Sequence, residues 1–183
     1  MELFEMRDGL VYPSVHALLI SPFREIWAQD TGVGKYNTLK KMRYVELLCS
    51  PKKTNVFYAY SEDIRPEKVK TEVFGDKDYQ IDSDIVKMTI RYKELLSDAS
   101  PYYQELQVAE NALSKLRKFI NDFNPNDKTS SGSLVLKPKE LALAITGLPD
   151  ARDSVEKLRS KLIADVEQVT KTRNAREVGD YER

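Results

Sequence analysis

Few residues of this chain are able to carry chemistry: one histidine, His16, one cysteine, Cys49, a glycine-containing turn, Gly32-Val33-Gly34-Lys35, and a basic and aromatic stretch from Lys40 to Tyr60. One imidazole cannot build a histidine cluster, and one thiol cannot complete the ligand set of a structural zinc. No metal and no cofactor is expected. A Ser-His-acid triad would have to use His16, yet that residue sits in the apolar context Val15-His16-Ala17-Leu18, and no Gly-x-Ser-x-Gly elbow occurs. Cys49 ends the apolar run Val45-Glu46-Leu47-Leu48-Cys49, which suits an inert packing thiol. The expectation is a protein without a catalytic site.

Gly32-Val33-Gly34-Lys35 invites comparison with a phosphate-binding loop, because glycines let backbone amides turn toward an anion. The comparison fails in detail. The first glycine of that pattern is missing, Tyr36 stands where Ser or Thr is required, and the preceding segment reads as a helix. Lys40, Lys41, Arg43, Lys52 and Lys53 make a basic concentration beside Tyr44, Phe57, Tyr58 and Tyr60. Such mixtures can hold phosphates while rings stack on bases. Glu46, Glu62 and Asp63 lie close in sequence, so a solvated helix face is the competing reading. Paired carboxylates at Asp82 and Asp84, and at Asp150 and Asp153, stand at expected helix starts, where capping explains them.

The chain as a whole has no charge bias, with 29 basic and 29 acidic residues among 183, so any attraction to DNA must come from a local patch. A composition 41% apolar and 32% charged is that of a globular protein. A lone cysteine fits folding in a reducing compartment. Met1-Glu2-Leu3-Phe4-Glu5 lacks the basic region of a signal peptide, and the run Val15 to Ile20 is far too short to span a membrane. No membrane association is expected.

What must position these residues is a mainly α fold, a helical bundle with an extended N-terminal segment, a long polar loop and a C-terminal helix. Residues 1–20 read as an extended lead, with Leu10-Val11-Tyr12 able to form a short strand. Ser21-Pro22 signals a first helix carrying Phe23, Ile26 and Trp27 on one face. A second helix is expected over 36–49, stopped by Ser50-Pro51. Ser61 can cap a third, which Pro66 can bend and which Gly75 closes after about Phe74. Asp82 opens a fourth, to about Leu96, and Ser100-Pro101 a fifth, roughly 101–123, with a stripe of Leu106, Leu113, Leu116 and Ile120. Leu39, Met42, Val45, Leu48 and Leu95 complete the expected core.

Residues 124–137 are polar and turn-rich, and their end, Leu134-Val135-Leu136, can add a short strand or a hairpin arm. Pro138 opens a small helix closed by Gly147, and Pro149-Asp150 starts a final helix to about Thr172, whose seam of Val155, Leu158, Leu162, Val166 and Val169 requires a partner. A charged tail follows from Asn174. The chain thus divides into a helical body, 1–123, a loop, 124–137, and C-terminal helices, 138–183, within one domain overall.

The stretch Pro22-Phe23-Arg24-Glu25-Ile26-Trp27, with Asp30, Lys35 and Leu39, then Met42-Arg43-Tyr44-Val45-Glu46-Leu47-Leu48-Cys49-Ser50-Pro51-Lys52-Lys53, and on to Tyr60, Glu62 and Arg65, resembles small virion structural proteins of tailed phages, including crAss-like and other large phages. It covers about a third of the chain. The resemblance implies an all-α virion component made in the host cytoplasm, a head–tail connector or neck ring subunit between portal and tail. Its partners would be further copies in a homo-oligomeric ring, the portal, tail or neck proteins, and packaged DNA in non-specific contact. Residues 1–20, 124–137 and 174–183 would serve as arms in such a ring. Asn126, Asp127, Lys128, Thr129, Ser130, Ser131, Gly132 and Ser133 are the candidate inter-subunit arm. The alternative is a DNA-binding or packaging-regulation module built on Lys40, Lys41, Arg43, Lys52 and Lys53.

Overall fold

A computed structural model of the chain describes residues 3–7, 10–52, 54–124 and 138–181, with side chains in the last segment for 139–168. The fold is mainly α. Six α-helices follow a two-stranded antiparallel sheet among the described residues: β1 (Phe4–Arg7) and β2 (Leu10–Pro13), then α1 (Phe23–Gln29), α2 (Tyr36–Cys49), α3 (Arg65–Phe74), α4 (Ser83–Ala99), α5 (Tyr102–Asp122) and α6 (Pro138–Tyr181). No described helix is long and apolar enough to cross a membrane.

α2 is the hub, packed against β2, α3 and α4. Its bounds are those expected, because Ser50 adopts the extended conformation that Pro51 imposes. Thr38, Leu39, Met42, Val45 and Cys49 are buried on it. α4 begins as expected at Asp82, whose carboxylate accepts the Ile85 amide at 3.0 Å, and buries Ile85, Met88, Tyr92 and Leu96. Gly75 closes α3 in the left-handed region, at φ 73°. Pro66 causes no bend, since it lies in the first turn of α3, where its missing N–H is not required. Ser21 provides no cap to α1. That helix starts at Phe23, and its early amides are met by the carbonyls of Ile20 and Pro22.

Three further expectations are corrected. Residues 1–20 are not merely an extended lead: β1 pairs with β2, Leu3, Phe4, Val11 and Ala17 are buried, and the Phe4 ring meets Phe23 edge-on at 5.5 Å and stacks near Tyr92 at 6.0 Å. Trp27 is half-buried, as are Leu48, Leu95, Leu116 and Ile120, so they flank the core without filling it. The two expected C-terminal helices are one, running through Gly147 and Pro149 to Tyr181 and into the tail expected to fray from Asn174. Proline in a helix interior costs about 3 kcal/mol and glycine about 1 kcal/mol. Both residues face solvent, while Leu148 and Ala151 pack against the core on either side of Pro149 and hold the helix through.

The partner that the α6 seam requires is α5 of the same chain. Val155 and Leu162 are buried, Leu158 and Val166 pack at the core margin, and Leu106 and Leu113 come from α5. Polar ties lie beside this seam: Arg159 donates to Glu110 at 2.7 Å, and Ser100 donates to Asp165 at 2.7 Å. Leu162→Ala is therefore expected to cost about 2–5 kcal/mol, the range for a fully buried leucine. Urea unfolding followed by circular dichroism checks it, and a loss below about 1 kcal/mol would detach α6 from the cooperative core. The arm from Asn126 to Ser133, the possible strand at Leu134-Val135-Leu136 and the side chain of Val169 lie outside what is described.

Candidate functional site

The basic residues singled out in the sequence do not form one free patch. Lys41 is buried and donates to Asp84 at 2.7 Å, with Asp82 at 2.8 Å, at the start of α4. Arg43 pairs with Glu72 at 3.0 Å, and Lys52 lies 3.7 Å from Glu46. Lys40 is exposed, its ammonium 5.3 Å from the centre of the Tyr36 ring. Lys53 lies outside the described residues. Acids more than forty positions away thus meet Lys41, which sequence spacing does not reveal.

Burial alone would raise the Asp82 pKa, but the Lys41 ammonium and the Ile85 amide outweigh it and hold the carboxyl below its ordinary 3.8. For Lys41 burial opposes the charge, and hydrogen bonds to the two aspartates outweigh it and raise the pKa above 10.5. The Asp82 contribution to stability is therefore present above about pH 4 and lost as pH falls through the folded-state value. That of Lys41 is present below its unfolded value and lost at high alkaline pH. Asp82→Asn keeps a good capping residue while removing the charge. The variant is expected to lose less stability than the parent between pH 5 and pH 2, measured by urea midpoints; equal slopes would show that this ion cluster does not couple to folding.

The glycine-containing turn serves the backbone around it. Lys35 turns back to donate to the carbonyls of Trp27, at 2.6 Å, and of Asp30, with its ammonium 5.1 Å from the centre of the Trp27 ring. Asp30 in turn accepts the amides of Gly32, at 2.9 Å, and Thr38, at 3.0 Å, and hydrogen bonding to Thr38 comes first in lowering its pKa. The ammonium is thereby directed toward carbonyls at the end of α1. Asp150 and Asp153, expected at a helix start, lie inside α6. His16 is partly exposed before the 3-10 turn Ala17–Leu19.

A site not foreseen from sequence surrounds Arg65, which is only 4% exposed. Its guanidinium donates to the carbonyls of Tyr60 at 2.8 and 3.2 Å, Tyr58 at 3.2 Å and Leu48 at 3.4 Å, and stacks 4.3 Å from the Tyr58 ring centre. Arg159 from α6 approaches the same ring at 5.1 Å. Beside Arg65 is a cavity of about 170 Å³, lined also by Cys49, Tyr58, Lys93 and Tyr103. No protein-family model, curated protein or solved structure matches this chain. Burial pushes the Cys49 thiol up to about 12 and raises the phenols of Tyr58 and Tyr103, so all three keep their protons at neutral pH. Cys49 is therefore a packing thiol here and not a nucleophilic thiolate.

Proposed function

We propose that this chain is a non-enzymatic structural component of a tailed-phage virion, a head–tail connector or neck ring subunit joining portal and tail. The observation that carries this reading is the use made of the segment bearing the phage resemblance. Its distinctive polar residues brace one rigid joint: Asp30 and Lys35 lock α1 to α2, Glu46 accepts the Tyr92 hydroxyl at 2.9 Å, and Arg65 ties the carbonyls of Leu48, Tyr58 and Tyr60 together. A subunit that must keep one shape under load needs such a joint. Apolar side chains on the outer faces offer something for neighbours to bury: Val86 and Ile90, one turn apart on α4, are 47% and 54% exposed.

Native mass spectrometry of the purified chain, alone and released from particles, tests this reading. A discrete oligomer is expected, with Val86→Glu/Ile90→Glu shifting it toward monomer at unchanged helicity. A chain that stays monomeric at every concentration and is absent from particles would overturn the proposal. Binding to DNA with a steep salt dependence would favour the module built on Lys40, Lys41, Arg43, Lys52 and Lys53. The carboxylate partners of Lys41, Arg43 and Lys52 weigh against that alternative.

A further inference from the structure

The cavity beside Arg65 is lined by that residue and by Lys93, and among the described residues neither makes an ion pair; Glu62 is the acid on its wall. Arg65 is surrounded by carbonyl dipoles with no carboxylate bound to it, so its buried charge is hydrogen-bonded but not neutralised. Tyr103 brings a phenol to the wall, whereas the Tyr58 hydroxyl is buried away from the cavity. Leu48 and Pro66 supply an apolar side. Two cations and a phenol against one acid favour an anion, and an apolar wall favours one that carries a hydrocarbon part.

We propose that this cavity binds a short-chain monocarboxylate, its carboxylate directed to Lys93 and the Tyr103 hydroxyl and its alkyl part against Leu48 and Pro66. The volume, about 170 Å³, is that of roughly five or six waters in the liquid, which admits a molecule of about four to seven non-hydrogen atoms. Arg65 supplies the field of a fixed positive charge, since four of its five N–H donors are already engaged by the backbone.

Calorimetric titration of the whole chain with sodium butyrate, inorganic phosphate and chloride at one ionic strength tests this. Butyrate should bind saturably and raise the unfolding temperature, whereas chloride should do neither. Lys93→Gln and Tyr103→Phe should each weaken butyrate about tenfold, the scale of one charge-assisted hydrogen bond. Lys157→Gln, on the exposed face of α6, should leave binding unchanged. Lys93 is partly exposed, so its variant is expected to fold, which circular dichroism verifies. A butyrate response no larger than that of chloride would overturn the proposal, as would full affinity in folded Lys93→Gln. Phosphate binding as tight as butyrate would overturn the carboxylate assignment by showing an unselective anion patch.

Discussion

Arg65→Ala should be among the most damaging single changes in this chain, lowering stability by about 3–5 kcal/mol, since each buried acceptor left without a donor costs about 1–3 kcal/mol. The guanidinium satisfies the carbonyls of Leu48, Tyr58 and Tyr60 and covers one aromatic ring, so truncation orphans several acceptors and opens a void at once. Arg65→Lys should recover little. A single ammonium cannot reproduce the planar fork that reaches carbonyls on two segments together. Urea unfolding of both variants checks the claim; a lysine variant close to the parent would mean that charge, not fork geometry, holds the joint.

Phe4→Ala should cost about 3–4 kcal/mol, as expected for a buried phenylalanine, although it stands only four residues into the chain. Its ring is almost wholly buried between Phe23 and Tyr92, joining the N-terminal hairpin to α1 and α4. Were residues 1–20 an arm that orders only on assembly, the same substitution would weaken oligomers and leave the isolated subunit's melting unchanged. Thermal unfolding of the isolated subunit distinguishes the two, and the packing of Phe4 favours the first.

Where local chemistry determines the outcome, the sequence was readable. α2 ended at Ser50 because the residue before proline leaves the helical region, Asp82 capped α4 with its own side chain, and Gly75 took the left-handed position that closes α3. Cys49 was readable as a packing thiol from its apolar neighbours. The failures share a cause, which is dependence on distant partners. Lys41 looked like part of a surface patch because Asp84 lies 43 positions away, and Arg65 was invisible as a centre because its acceptors are backbone carbonyls that carry no sequence signature. Gly147 and Pro149 are genuine breakers by propensity, and packing of Leu148 and Ala151 overrode them. The strand Phe4–Arg7 was missed because its burial does not alternate: Phe4 is buried, Glu5 half-buried, and Met6 and Arg7 are exposed.

The continuity of α6 gives the molecule a beam. At 1.5 Å per residue its 44 residues measure about 66 Å, whereas the 21 residues of α5 measure about 32 Å. Val155, Leu158, Leu162 and Val166 clamp the beam near its middle, with Pro149, one hydrogen bond short, on one side of the clamp. Leu148 and Ala151 brace the turn around Pro149 on both sides, so a bending load on the beam meets packed side chains at the point where its hydrogen-bond ladder is weakest.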